Sequence, residues 1–208
     1  MRMQIALVII ILAFLMSVYF YPVLPSRLAT HWNIDGQVDG YMSKAAALFI
    51  MPLISLILLT LFVIIPVIDP WRKNIKMFKK YFENFVLIII GFLFYLHLLT
   101  MTWHLDYRFN MIQYMAPAFA VIFYYAGQLT QHAKRNWFIG IRTPWTLTNN
   151  RIWDKVNERG GKLFKACGII CLVAIFLPND ALFLILVPIL ATTAYVFVYS
   201  YVLYSRKK

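Results

Sequence analysis

Long apolar runs separated by short polar segments dominate the pattern along this chain of 208 residues. A helix rises about 1.5 Å per residue, so crossing a hydrocarbon core of about 30 Å takes about 20 apolar residues. Six runs approach or exceed that length: residues 4–24, 45–68, 85–105, 111–129, 163–177 and 181–203. The pattern therefore predicts an all-α integral membrane protein with six transmembrane helices.

The positive charges alternate between the connections that join these runs. Seventeen of the 20 Lys and Arg residues lie before the first run, after the second, after the fourth or after the sixth. The positive-inside rule then predicts that both termini and the connections 69–84 and 130–162 are cytoplasmic. Basic residues beside membrane helices also account for the net charge of +12 through contact with membrane lipid, without a nucleic-acid partner.

Composition narrows the class of protein further. Hydrophobic residues make up 62% of the chain and charged residues only 13%, which excludes both an ordinary soluble domain and a disordered chain. We divide the chain into three parts: helices 1 and 2 with a structured extracellular loop at 25–44 (1–68), a basic cytoplasmic loop with helices 3 and 4 (69–131), and a cytoplasmic amphipathic signature segment with helices 5 and 6 (132–208).

Few residues inside the spans can ionise or bind a metal. Cys167 and Cys171 lie four apart in an apolar run, a spacing that fits neither a CxxC motif nor a metal site, and we expect both thiols to be reduced. His97 is the one titratable residue in the middle of a span. It is either a neutral histidine bonded to a neighbouring helix, which is the commoner state, or part of a proton relay.

The connection between the first two spans is unusually specific for a loop. Residues 30–33 can form a short strand, and Asp35-Gly36 and Asp39-Gly40 are dipeptides typical of tight turns. Ser43 is a candidate N-cap for the second helix. We interpret the segment as a folded lid. The alternative is that residues of this segment bind a cation.

A cation site would draw on acidic and histidine residues from two connections on the same side of the membrane. Carboxylates and imidazoles are the usual ligands of divalent metals, and two sequence segments could contribute them. The candidates are His31, Asp35, Asp39, His104 and Asp106.

The connection between the fourth and fifth spans is the second specific segment. Thr143 precedes proline and is expected to be extended, and Thr148 or Asn149 can cap the helix that follows. Apolar residues recur at helical spacing at Ile152, Trp153, Val156, Leu163 and Phe164, and Gly160-Gly161 interrupts this pattern. We interpret this stretch as an amphipathic segment that lies on the inner leaflet before the chain turns into the fifth span.

Arg142 within that segment carries a planar donor fork that suits lipid phosphate or the carbonyls at a helix end. The alternative interpretation is an interfacial loop held in place by two tryptophans.

At these two segments the chain resembles the SdpI immunity-protein family. The first segment follows the family pattern at Leu24-Pro25, His31-Trp32-Asn33, Gly36, Asp39-Gly40-Tyr41 and Lys44. The second follows it at residues 140–147, Trp153, Asn157 and residues 160–162. Two positions depart from the pattern: Ala29 stands where proline is common, and Glu158 separates Asn157 from Arg159, where the family usually places the Arg directly after Asn or His.

The resemblance implies a bacterial cell-membrane protein, without enzymatic activity or cofactor, that protects the producing cell from a secreted antimicrobial peptide toxin. Some members of the family also signal by recruiting a cytosolic repressor to the membrane, and the resemblance makes the same role possible for this chain. Candidate contacts with toxin or partner are His31, Trp32, Asn33, Asp35, Asp39, Tyr41, Arg142, Thr143, Pro144, Trp145 and Trp153.

Two other classes of protein remain open from the residues alone. A small transporter or exporter of peptide or lipid would need a polar pathway, for which His97, Thr100, Thr102 and Gln128 are the candidates. A metal-dependent membrane hydrolase would use the cation set described above. The sequence contains no Gly-x-Ser-x-Gly, HExxH or phosphate-loop motif.

Overall fold

The computed structural model describes residues 1–34, 36–105 and 107–206, which are mostly helical. The elements in chain order are α1 (Arg2–Phe20), β1 (Arg27–Trp32), β2 (Val38–Ser43), α2 (Lys44–Ile68), α3 (Arg72–Met77), α4 (Lys79–His104), α5 (Met111–His132), α6 (Pro144–Thr148), α7 (Asn150–Val173) and α8 (Ala181–Ser205). A 3₁₀ turn, Pro178–Asp180, precedes α8.

Within the described residues, four stretches of helix are long and apolar enough to cross a membrane: Arg2–Phe20, Lys44–Ile68, Lys79–His104 and Pro178–Ser205. Much of their apolar surface faces outward, as with Val67 at 67% exposed and Leu190 at 63%. Lipid is the solvent that accommodates such a surface. The predicted fourth and fifth spans lie in α5 and α7, which are more polar, so the six-span count stays a prediction at this point.

The helices form two groups that meet where α4 packs on α5. In the first group α1 packs on α2 and α4, and in the second α7 packs on α5 and α8. The main buried cluster joins the groups and includes Ile10, Phe82, Ile90, Leu129 and Trp153. The structure thus places the last helices of the chain against a preceding three-helix group.

A polar contact in the first group ties three helices together. Pro52 lacks a backbone N–H, so the Leu48 carbonyl one turn earlier in α2 has no partner within its own helix. The Ser17 hydroxyl lies 2.7 Å from that carbonyl and 3.1 Å from Nε2 of His97. Ser17, Leu48 and His97 are all buried. The hydroxyl also lies 2.9 Å from the Ala13 carbonyl of its own helix. Since it has one proton, and the Leu48 carbonyl is nearer and lacks a helical partner, it donates to Leu48 and accepts from His97 Nε2–H. This agrees with the histidine bonded to a neighbouring helix.

Replacing Ser17 should expose how much this contact stabilises the helices. Ser17→Ala leaves two buried polar groups without partners and should lower the free energy of unfolding by about 1–3 kcal/mol. Pro52→Ala restores an N–H for the Leu48 carbonyl, so the double variant should lose less than the two single variants together. Thermal unfolding in detergent measures the cycle.

Ser55→Ala is the matched control, because the Ser55 hydroxyl donates to the Met51 carbonyl within its own helix. That substitution should have a smaller effect. Strict additivity of Ser17→Ala and Pro52→Ala would contradict the proposed link between the two residues.

The predicted turn between the amphipathic segment and the fifth span is wrong, because α7 runs through Gly160-Gly161 without a break from Asn150 to Val173. These glycines instead allow close packing against α5. A Cβ added to Gly161 would lie 2.6 Å from the Gly127 carbonyl oxygen, and one added to Gly127 would lie 2.4 Å from the Gly161 carbonyl oxygen. Contact between helix backbones outweighs the poor helix propensity of glycine here.

The predicted strand at 30–33 extends instead over Arg27–Trp32 and pairs antiparallel with Val38–Ser43. Asp39-Gly40 was predicted to form a turn and does not, because it lies within β2 opposite His31. The chain turns earlier, at 33–37, where Gly36 has φ +74° and the Asn33 side chain accepts the Gln37 N–H at 2.8 Å. Asp35 of the other predicted turn lies outside the described residues.

Several local predictions are confirmed at helix ends. The Ser43 side chain accepts the Ala46 N–H at the start of α2. Asn149 caps α7 by accepting the backbone N–H groups of Arg151 and Ile152. Thr143 has the extended backbone expected before proline, with φ −121° and ψ 164°. Short-range sequence chemistry therefore identifies these boundaries correctly.

Candidate functional site

The β1–β2 hairpin, residues 27–43, is held firmly on the ends of the membrane helices. The Ala29 N–H donates to Nε2 of His104 at 2.7 Å, and Nδ1 of the same ring lies 2.7 Å from the Thr100 carbonyl. Since Nε2 accepts, Nδ1 carries the proton and donates. Beneath the hairpin, Leu28 packs with Leu48 and Met101 in a buried cluster.

This arrangement bears on the cation site that the sequence leaves as the alternative to a folded lid. Both ring nitrogens of His104 are engaged with backbone groups, so this side chain positions the hairpin. His31 pairs with Asp39, at 2.5 Å between Nδ1 and Oδ1. No group of three His, Cys, Asp or Glu side chains within residues 1–34, 36–105 and 107–206 is arranged to hold a metal. Asp35 and Asp106 lie outside the described residues.

The outward rim of the hairpin is polar and aromatic. The side chains of His31 and Asp39 are 71% and 46% exposed, and Tyr41 is 54% exposed. The Arg27 guanidinium lies 5.8 Å from the centre of the Tyr41 ring. Three of the predicted contact residues therefore share an accessible surface.

Trp32 and Asn33, also predicted as contact residues, have a more structural placement. The Trp32 ring makes an edge contact with Trp103, at 5.6 Å between ring centres. The Arg108 guanidinium lies 3.6 Å from the centre of the Trp103 ring. The Trp32 indole N–H is buried and has no hydrogen-bond acceptor among the described residues. Asn33 closes the turn. Trp32 and Asn33 therefore hold the hairpin in shape and contribute little to its outward rim.

At the other end of the bundle, Asp69 connects two segments far apart in sequence. It is 1% exposed, and its two carboxylate oxygens accept the backbone N–H groups of Trp71, at 2.6 Å, and Trp137, at 2.9 Å. The two tryptophan rings stack with their centres 5.5 Å apart. Asp69 is not among the residues predicted from the sequence. Its position just after α2 and two residues before Trp71 is the available signal, because aspartate often bonds backbone N–H groups two residues on.

The α5–α7 loop, residues 133–149, is organised by Asn136. This side chain is fully buried, and its oxygen accepts the N–H groups of Phe138 and Ile139 at 2.8 and 2.6 Å. Its amide nitrogen donates to the Lys134 and Ile139 carbonyls, both at 2.8 Å. One side chain thus satisfies four backbone groups, and the loop has a defined conformation.

Two side chains of α7 bind this loop from below. The Trp153 indole N–H donates to the Ala133 carbonyl at 2.8 Å, and the Asn157 side-chain oxygen accepts the Ile141 N–H at 2.8 Å. Gly140 adopts φ +105° and has no room for a side chain, because a Cβ there would lie 2.7 Å from the Asn157 oxygen. Trp153, predicted as a contact residue, is 1% exposed and therefore structural.

The Arg-Thr-Pro-Trp motif lies where the loop enters α6. Thr143 and Thr146 form a reciprocal capping box, with Pro144 in the first turn of the helix. The Trp145 ring packs against Phe197 and Tyr201 of α8, with ring centres 5.4 and 5.1 Å apart. Thr143 and Pro144 thus shape the motif, and Trp145 attaches it to the last helix.

Arg142 is the exposed charged residue of the motif. One of its terminal nitrogens donates to the Trp137 carbonyl at 2.5 Å, which orients the guanidinium. Through Trp137 it is connected to Asp69 and the connection after α2. The structure does not bring this group near the hairpin, so the predicted contact residues form two separate sites.

This chain is a multi-pass membrane protein of the cell membrane. Its apolar helices have lipid-facing surfaces, with a hairpin fixed on one end of the bundle and an ordered loop at the other. Residues 132–200 match the SdpI/YfhL protein family, and residues 8–56 match a domain of unknown function (DUF1648). The chain is 28% identical over 183 residues to the immunity protein SdpI of Bacillus subtilis (strain 168). The aligned region covers 88% of this chain and 86% of that protein. No solved structure matches. The resemblance to the SdpI family is confirmed.

Proposed function

We propose that this chain is a non-enzymatic immunity protein that protects the producing cell from a secreted antimicrobial peptide toxin. The observation that carries the proposal is the similarity to the immunity protein SdpI, which extends over 88% of the chain. The match to that family over residues 132–200 includes the Arg-Thr-Pro-Trp motif and the residues that hold it in place. An immunity role needs recognition surfaces in or on the membrane, and both sites provide such surfaces.

The proposed topology has six spans with both termini in the cytoplasm. The 22 residues of α5 extend about 33 Å, enough to cross the hydrocarbon core. One polar residue of α5 turns toward a neighbour, since the Gln113 amide donates to the Ile175 carbonyl at 2.7 Å. Such internal pairing supports a span despite its polar content. The segment 163–177 supplies the remaining crossing, and the three sequence parts at 1–68, 69–131 and 132–208 stay part of this proposal.

Cysteine labelling of intact cells tests this topology. In a background carrying Cys167→Ala and Cys171→Ala, a membrane-impermeant maleimide should label Tyr41→Cys and should not label Asn150→Cys until the membrane is permeabilised. Both positions are exposed, so accessibility depends only on the side of the membrane. Labelling of position 150 in intact cells would contradict the proposed orientation.

We place the toxin-binding surface on the hairpin rim and the adjoining helix ends. An amphiphilic peptide that approaches from outside meets His31, Asp39 and Tyr41 first. Their rigid mounting on α2 and α4 reduces the entropy lost on binding. The direct experiment is expression of this chain in a sensitive strain challenged with candidate secreted peptides. Survival with an unchanged amount of toxin supports sequestration or blockade, whereas loss of toxin would favour degradation by the hydrolase alternative.

The α5–α7 loop suits a second role, docking of a cytosolic protein such as a repressor. Arg142 is exposed and oriented, and an arginine fork recognises a carboxylate or carbonyl pair in a defined direction. The attachment of Trp145 to α8 and of Trp137 to the connection after α2 would transmit a shift of the helices to this group. Signalling is therefore a proposal that rests on the immunity role.

Substitutions in this loop separate recognition from simple membrane anchoring. Arg142→Lys keeps the charge and loses the bidentate fork, so protection or signalling should fall about tenfold, as the loss of one charge-assisted hydrogen bond implies. Trp145→Ala should have a similar effect by loosening the loop. Survival is measured per amount of protein in the membrane, with exposed Arg159→Lys as the control. Full protection by both variants would reduce the motif to a structural element.

A further inference from the structure

A basic cavity lies where the start of α7 meets the end of α8. It has a volume of about 290 Å³ and is lined by Arg151, Ile152, Lys155, Leu203 and Arg206. Arg151 and Lys155 are four residues apart and share one face of α7. Leu203 lies in the last turn of α8, three residues before Arg206, which caps the end of that helix. Three positive charges from two helices therefore converge on one cavity that neither the family motif nor the proposed toxin site uses.

The three cations are available to a ligand. Across residues 1–34, 36–105 and 107–206, none of them forms an ion pair with a carboxylate. The first backbone N–H groups of α7 are already satisfied, since Asn149 accepts from Arg151 and Ile152 at 2.9 and 3.2 Å. The attraction for an anion therefore comes from the side chains and not from a free helix end.

The floor of the cavity is apolar. Ile152 is 2% exposed and belongs to a buried cluster with Val156 and Val196, against which Leu203 packs. The cavity also lies at the membrane interface, because α8 is a candidate span and Arg206 directly follows its last residue, Ser205. Tyr201 near this end is typical of the interface. A basic rim above an apolar floor at that depth matches a phospholipid, with the phosphate on the cations and the acyl chain along Leu203.

We propose that this cavity binds the phosphate headgroup of an anionic phospholipid, such as phosphatidylglycerol, and thereby clamps the α7–α8 pair at the interface. An acidic polypeptide would also satisfy the charges, but it would leave the apolar floor unused. Bound lipid would join the ends of the helices that carry Trp153 and the aromatic partners of Trp145. The site would therefore stabilise the α5–α7 loop from the membrane side.

Native mass spectrometry of the purified full chain measures lipid retention directly. The protein is titrated with phosphatidylglycerol or phosphatidylcholine, and we expect preferential retention of phosphatidylglycerol. Combined Arg151→Gln, Lys155→Gln and Arg206→Gln should reduce that preference at least about tenfold, since each basic residue near an anionic surface contributes about 1 kcal/mol. The control removes equal charge elsewhere through Arg72→Gln, Lys73→Gln and Lys134→Gln, and should retain the preference.

Further arms keep the result decisive. If the triple variant unfolds, the single exposed change Arg206→Glu at the helix end should still weaken phosphatidylglycerol retention. Equal losses in the site and control triples would overturn the proposal, because the effect would then be general charge. Unchanged lipid preference in the site triple would also overturn it. Binding of poly-glutamate to the site triple is measured as well. If that variant lost poly-glutamate binding but kept lipid binding, the proposal would also be overturned, because the cavity would then belong to an acidic polypeptide.

Discussion

Gly161→Ala should destabilise the protein by about 1–3 kcal/mol or more, as expected when a well-packed contact is overfilled. The added Cβ would lie 2.3 Å from Cγ of Gln131 and 2.6 Å from the Gly127 carbonyl oxygen. The glutamine side chain can move, but the carbonyl belongs to the backbone of α5 and cannot. The two helices must separate, and Trp153 and Asn157 then shift away from the loop they hold. Thermal unfolding in detergent measures the loss of stability, and protection assays measure its effect on function.

Gly91→Ala is the matched control for this substitution. A Cβ at Gly91 in α4 would meet nothing within 4 Å among the described residues. Alanine is the better helix former by about 1 kcal/mol, so the control should be neutral or stabilising. Equal stability of the two alanine variants would show that α5 and α7 do not pack as closely as the structure indicates.

Asp69→Ala should lower the free energy of unfolding by at least about 2 kcal/mol. It removes the acceptors of two backbone N–H groups at a site that is 1% exposed, and each unpaired group costs about 1–3 kcal/mol. Relief from burying a carboxylate offsets part of this cost. Asp69→Asn should be intermediate, because one acceptor oxygen remains while the new NH₂ group faces the other N–H.

Limited proteolysis distinguishes a local effect at Asp69 from a general one. Without the carboxylate, Trp137 loses its anchor and trypsin should cleave more rapidly after Lys134, which is exposed in the α5–α7 loop. Asp154→Ala removes an exposed carboxylate on α7 and should change stability by less than about 0.5 kcal/mol. If both variants behaved alike, Asp69 would have no special role in joining the two segments.

Local chemistry explains which features of the fold could be predicted. The long apolar runs, the caps at Ser43 and Asn149, and the extended Thr143 before proline depend on residues within a few positions of each other, so the sequence contains the whole cause. The resemblance to the SdpI family also depends on short motifs. The same motifs placed candidate residues in two separate regions. Among these residues, His31, Asp39, Tyr41, Arg142 and Pro144 are exposed in the structure.

Predictions failed where a residue's environment comes from another part of the chain. Asp39-Gly40 has the composition of a turn, but pairing with β1 retains it in a strand, and Gly40 gives room to His31. The Gly160-Gly161 pair has low helix propensity, but the backbone of α5 packs against it and α7 continues. In each case a tertiary contact outweighs a local preference of about 1 kcal/mol.

By itself, the sequence determined a membrane protein with apolar helices, a specific hairpin region and a motif-bearing loop, because burial in lipid and local capping depend on composition and spacing. Only the tertiary structure decided that Asp69 supports Trp137, that Ser17 satisfies the carbonyl freed by Pro52, and that three cations converge between α7 and α8. These relationships join residues far apart along the chain. Hydrophobic periodicity shows which face of a helix is apolar, but the partner of each polar group is determined by how the helices pack.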